Sequence, residues 1–137
     1  MAGKHVIEAL SLHKKGFNCA QSVALPFCAE LGIDKQTVMK ATEGFDAGMG
    51  GYNLTCGALS GAIFVAGSIL SDGNLEHPAS KRNTYAVCKE ISEAFEKESG
   101  STSCYDIRGV ESKCPLKSCN ECIMIAASLA EKVLNKK

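Results

Sequence analysis

The stretch TCGALSGAIFVAGSILS, residues 55–71, carries no charge and reads as a helix that is apolar on most of its faces. Such a helix is either a membrane span or the centre of a helical bundle. It is at the short end for a bilayer, which asks for about 20 apolar residues, and no flanking Lys/Arg or aromatic belt accompanies it. The expectation is therefore a buried core helix. Gly57 and Gly61 form a small-xxx-small row, with Ala58, Ala62 and Ala66 in a second row beside it, so neighbouring helices can approach closely along both.

Helix-type periodicity continues outward from this segment and strand-type alternation is nearly absent. Residues 3–15 form an amphipathic helix with Val6, Ile7, Leu10 and Leu12 on its apolar side. Asn18 is an N-cap for a helix with Val23, Phe27 and Leu31 four apart; Pro26 kinks or splits it and Gly32 ends it. Asp34 caps the next segment, where Val38, Met39 and Phe45 are expected to point inward. The sequence DAGMGGYN, residues 46–53, is the main breaker and leads straight into the uncharged helix. After a turn, Pro78 fits the first turn of a helix over 78–98 with Tyr85, Val87, Cys88, Ile91 and Phe95 as its apolar positions. Residues 101–122 are polar and cysteine-rich, a lid or site-forming loop, and a last helix over 119–135 carries Ile123, Ala126, Ala127, Ala130 and Val133 on one side. These elements predict a single all-α domain over 1–137, a bundle of five to six helices around the Gly/Ala-rich one.

Lys plus Arg, 15, equals Asp plus Glu, 15, and no basic run exceeds two residues, so nothing provides an electrostatic footprint for nucleic acid. The start MAGKHVIEALSLHKKGF lacks the apolar core and cleavage site of a signal peptide, which points to the cytoplasm and reduced thiols. Eight cysteines in 137 residues then argue for metal binding or redox chemistry rather than a disulfide framework.

The eight fall into groups by the residue before each. Cys19 follows Asn18, Cys56 follows Thr55, Cys104 follows Ser103 and Cys119 follows Ser118, so each comes directly after a preferred N-cap residue. At the first helical position, unpaired N–H groups and the positive dipole end stabilise a thiolate and lower a thiol's pKa from about 8.5, in strong cases to about 3.5–7.5. The pattern predicts thiolates gathered at one end of the bundle without specifying their reaction. Cys28 and Cys88 read as small core hydrophobes. Cys114 precedes Pro115, and Cys122 lies one helical turn after Cys119; both stay unassigned.

One C-x-x-C at 119–122 without a partner pair does not make a zinc finger. A cluster site needs four thiolates but no tight spacing, so Cys19, Cys56, Cys104 and Cys119 or Cys122 could hold a [2Fe–2S] centre, or form two redox-active pairs. A soft-metal binding or sensing module that acts on a partner is the other reading. Gly57 and Gly61 are the positions where backbone could come close to such a cofactor. His5, His13 and His77 read as surface residues rather than ligands. Arg108, near the cysteines, reads as an ion-pair partner of Asp106 or a Glu of the last helix in preference to a ligand role.

The order NCAQSV, GMGG…TCGALSGA, GSTSCYDIRG and a cysteine opening an Ala-rich final helix resembles the C_GCAxxG_C_C family of redox-active proteins over nearly the whole chain. Its C-G-A-x-x-G box matches at Cys56, Gly57, Ala58 and Gly61, its first cysteine at Cys19, its third at Cys104 and its fourth at Cys119, with Cys114 and Cys122 competing for the last. The resemblance implies an all-helical fold and redox chemistry, and a related module accompanies a split-Soret type cytochrome with an iron–sulfur centre. Genes of members often lie near transporter genes, which implies a redox or transport-linked partner; small-residue helix faces are compatible with a homodimer.

Overall fold

A computed structural model describes residues 3–109 and 116–136, and the chain is all-α. Its helices are α1 (Lys4–Lys14), α2 (Cys19–Ala24), α3 (Cys28–Leu31), α4 (Lys35–Thr42), α5 (Gly57–Leu70), α6 (Lys81–Ser99), α7 (Cys104–Arg108) and α8 (Cys119–Lys136). A 3₁₀ turn, Leu25–Phe27, joins α2 to α3, so this run is one helix tightened at Pro26 and the described residues hold seven helices rather than five to six. The one pairing of extended backbone among them is an isolated bridge between Thr55 and Ser103.

α5 occupies the centre, packed chiefly on α8 and α2 and then on α6. Ala58, Ala62 and Ala66 are wholly buried, and Leu59, Val65 and Ile69 nearly so, each of these larger side chains contributing about 1.5–3 kcal/mol by leaving water. None of the described helices is long and apolar enough to cross a membrane. The close approach expected along the glycine row is real at Gly61: a Cβ there would lie 2.8 Å from the Ala20 carbonyl oxygen and 3.2 Å from Val23 Cβ. Only a bare backbone lets α2 pack this tightly on α5.

Helix starts follow their caps. The Asn18 side chain accepts from Gln21 N–H at 2.8 Å while Asn18 N–H donates back to Gln21 Oε1 at 3.1 Å, a complete capping box. Asp34 accepts from Thr37 N–H, and Gly32 ends α3 in the left-handed conformation, φ +68°. α6 begins at Lys81, later than expected from Pro78. The Asp72 carboxylate accepts from Ala79 N–H and Ser80 Oγ accepts from Asp72 N–H, which holds residues 72–80 as a turn.

Three apolar positions turn outward. On α1 the buried face is His5, Val6 and Ala9, and Ile7 is 60% exposed. His5 causes the shift. Its ring stacks on Phe27 at 4.2 Å and its nitrogens meet Glu30 at 2.6 Å and Glu131 at 3.2 Å, tying α1 to α3 and α8. A histidine expected at the surface is therefore a buried cross-link. Met39 is exposed because α4 buries Val38 and Thr42, one turn apart; Tyr85 is exposed because α6 buries Ile91, Phe95 and Ser99.

Candidate functional site

The bridge between Thr55 and Ser103 sets the first pair of thiols. Cys56 N–H donates to Thr102 O at 2.8 Å and Cys104 N–H to Leu54 O at 2.7 Å, which brings the start of α5 beside the start of α7. Cys104 is the first residue of α7, as expected, but Cys56 is itself the cap position of α5, one residue earlier than its spacing suggests. Thr55 is engaged in the bridge and does not cap.

Cys19 opens α2 and Cys119 opens α8. The second start is held by another capping box, with Ser118 Oγ accepting from Glu121 N–H and Ser118 N–H donating to Glu121 Oε1, both at 3.1 Å. The glycine loop closes the remaining side. Asp46 Oδ1 accepts Cys19 N–H at 3.2 Å, and it can reach there because Gly57 has no side chain: a Cβ would fall on the carboxylate, 2.9 Å from Asp46 Cα. Gly48, at φ +58°, is equally tight, with a Cβ only 2.8 Å from Cys104 Cβ. Ala47, Met49 and Tyr52 also take positive φ, at a cost of roughly 1–2 kcal/mol each that the packing of the loop must offset.

Together these elements enclose a cavity of about 150 Å³ lined by Cys19, Cys56, Cys104, Cys119 and Cys122, along with His13, Asp46 and Arg108. All five cysteines singled out as possible metal ligands meet there. Gly57 lines it too; Gly61 does not, being occupied by α2. Cys28 is in the core and Cys88 is partly buried, away from this lining, and Cys114 lies outside the described residues. Arg108 forms no ion pair with Asp106 or an α8 glutamate among the described residues; its guanidinium lies over the Tyr52 ring at 4.8 Å, while Asp106 accepts from Ser101 Oγ.

The thiols differ in charge according to their partners. Cys119 is pulled down to about 6, first by a hydrogen bond from the Cys19 thiol and then by Arg108 and His13, with burial opposing. Cys19 is pushed up because it is the donor in that bond, is buried, and faces the Asp46 carboxylate. Cys56 is lowered by a hydrogen bond from Cys122 and, against burial, by the Ala58 and Leu59 amides at the start of α5. Cys122 is raised as the donor to Cys56 and by burial. Burial raises Cys104. Placement at a helix start therefore does not make a thiolate of every cysteine: Cys19 gives its hydrogen to Cys119, is buried and meets the Asp46 carboxylate at the amide end of α2, and at Cys104 burial outweighs the five-residue α7.

What emerges is two hydrogen-bonded cysteine pairs, Cys19 donating to the Cys119 thiolate and Cys122 donating to Cys56. A ring nitrogen of His13 and the sulfurs of Cys19 and Cys119 all lie within 4.8 Å of one another. His13 is the site residue that spacing alone misses. It stands six residues before Cys19, in another helix, and nothing in the periodicity of α1 marks it.

The family model described as "Putative redox-active protein (C_GCAxxG_C_C)" matches residues 17–133. The chain belongs to this family. In this C_GCAxxG_C_C member the C-G-A-x-x-G box is the start of α5, where Cys56 faces the cavity, Gly57 admits Asp46 and Gly61 admits α2. No curated protein and no solved structure matches the chain.

Proposed function

We propose that this family member is an electron-transfer protein whose redox group is built on Cys19, Cys56, Cys104 and Cys119, with Cys122 as a supporting thiol. The observation that carries this reading is the convergence of these five cysteines, from the starts of four helices, on one cavity. Four thiols on separate elements fit the all-cysteine ligand set of a [2Fe–2S] centre, and soft thiolate donors suit iron–sulfur, zinc and Cu(I) over hard cations. When bound, such a centre supplies one-electron transfer. The protein's own part is to present the donors, to exclude water by burying all of them except Cys119, and to set the local charge with Arg108 and Asp46. In the metal-free state the Cys19 thiol and Cys119 thiolate can close a disulfide by exchange with a partner's disulfide: their S–S bond forms, the partner's S–S bond breaks and takes up the two electrons, and the Cys19 proton passes to a released thiolate.

Anaerobic purification followed by a visible spectrum and assays of iron, sulfide and zinc tests the cluster. Charge-transfer absorption with about two irons and two sulfides per chain is expected. A colourless protein with one zinc would favour the metal-sensing alternative, in which the same thiolates report a soft metal to a partner such as a transport system.

A further inference from the structure

His13 stands at the edge of the thiol cavity on an element that carries no cysteine. Its Nδ1 is 3.0 Å from the Phe17 carbonyl oxygen. A carbonyl can only accept, so Nδ1 carries the hydrogen and the lone pair of the neutral ring is on Nε2. Ligating histidines are held in this way, one nitrogen donating to a backbone carbonyl or carboxylate so that the other is oriented and made more basic. Phe17 belongs to the turn between α1 and α2, two residues before Cys19, so the same turn positions the imidazole and the first thiol.

The geometry points to a mononuclear site for a soft divalent cation of the zinc class, held by His13, Cys19 and Cys119, with its remaining position open to the cavity. A ring nitrogen of His13 and the sulfurs of Cys19 and Cys119 lie within 4.8 Å of one another. Tetrahedral zinc, with Zn–S near 2.3 Å and Zn–N near 2.0 Å, needs them about 3.4–3.8 Å apart, a contraction on the order of 1 Å. Three protein donors and one open position is the arrangement of sites that exchange a ligand, in contrast to closed structural sites with four. An ion here overlaps the proposed cluster at two thiols, so the two are alternative occupants, and the ion withdraws Cys19 and Cys119 from disulfide chemistry. The site stands whether or not a cluster forms.

Cobalt(II), a spectroscopic substitute for zinc, tests the site in the metal-free full chain under reducing, anaerobic conditions. One cobalt per chain is expected, with thiolate-to-cobalt charge transfer and the d–d bands of a tetrahedral centre. His13→Asn keeps an amide that can donate to Phe17 O but has no nitrogen in the Nε2 position. It should weaken cobalt at least 100-fold, beyond the roughly 10–100-fold typical of losing an outer-shell partner. His13→Ala should do the same, with both variants melting like the parent when metal-free. Cobalt affinity within a few-fold of the parent in both variants, or binding abolished by Cys56→Ser and indifferent to His13, would overturn the assignment. Iron and sulfide content of the protein as isolated decides the cluster separately.

Discussion

A Gly61→Leu variant is expected to lose at least about 3 kcal/mol of stability, the upper end of ordinary overpacking, and to melt on the order of 10 °C or more below the parent if it folds. Its Cβ alone would meet the Ala20 carbonyl oxygen at 2.8 Å, and the other branches of the leucine would have to displace Val23. The obstacle is backbone of α2, which cannot swing aside as a long side chain can. Moving α2 would also carry Cys19, one residue before Ala20, away from Cys119. The contrast is Gly67 on the same helix, where nothing lies within 4 Å of the added Cβ. Gly67→Ala removes only a flexible residue from a helix interior and should raise stability by about 0.5–1 kcal/mol. Thermal melts of the two variants check the account; equal melting temperatures would show that α2 does not depend on the Gly61 gap.

Alkylation of Cys119 by iodoacetamide at pH 6 should run about 15–30-fold faster than that of a thiol at its ordinary value. With a pKa of about 6 against the reference 9.0, half of Cys119 is thiolate at pH 6, roughly 500 times the ordinary fraction. A less basic thiolate is also a weaker nucleophile, and with a Brønsted slope of about 0.4–0.5 three pKa units cost about 15–30-fold in intrinsic rate. The net gain shrinks to about 3–6-fold at pH 7, so the acidic side is where the effect is measured. The rate levels off above about pH 7 and falls as protons are added through pH 6 and below. Cys56 is lowered too but buried, and it should lag behind. Peptide mapping across pH 5–9 tests this; a Cys119 rate that climbs steadily through pH 8 without a break near 6 would show an ordinary thiol. Cys19→Ala, which removes the donor, should move the break upward, since the hydrogen bond from the Cys19 thiol is the main support of the charge.

The central helix could be read from its residues because one segment was charge-free, at the short end for a bilayer and without flanking Lys/Arg or an aromatic belt, and the two small-residue rows are where the neighbours pack. Caps were equally readable at Asn18, Asp34 and Gly32, where the stabilising partner lies within a few residues. Cap adjacency marked the helix starts at Cys19 and Cys119, where Asn18 and Ser118 do cap, whereas Cys56 and Cys104 are brought together by the bridge between Thr55 and Ser103. The charge of the thiols was not readable in this way. It depends on Cys119, burial and Asp46 at Cys19, on Cys122 at Cys56 and on burial at Cys104, contacts between distant parts of the chain. The histidines show the same limit. His5 and His13 look alike on a helical wheel, but Glu30, Glu131 and Phe27 bury the first, and Cys19 and Cys119 draw the second into the cavity.

The central claim is that the gathered thiols are a redox group, and an anaerobic potentiometric titration of the full chain, followed by absorbance and by the number of reactive thiols, tests it most directly. A reversible transition is predicted, lost in both Cys19→Ser and Cys119→Ser. A spectrum unchanged at every potential, with all the cavity thiols remaining reduced, would contradict it.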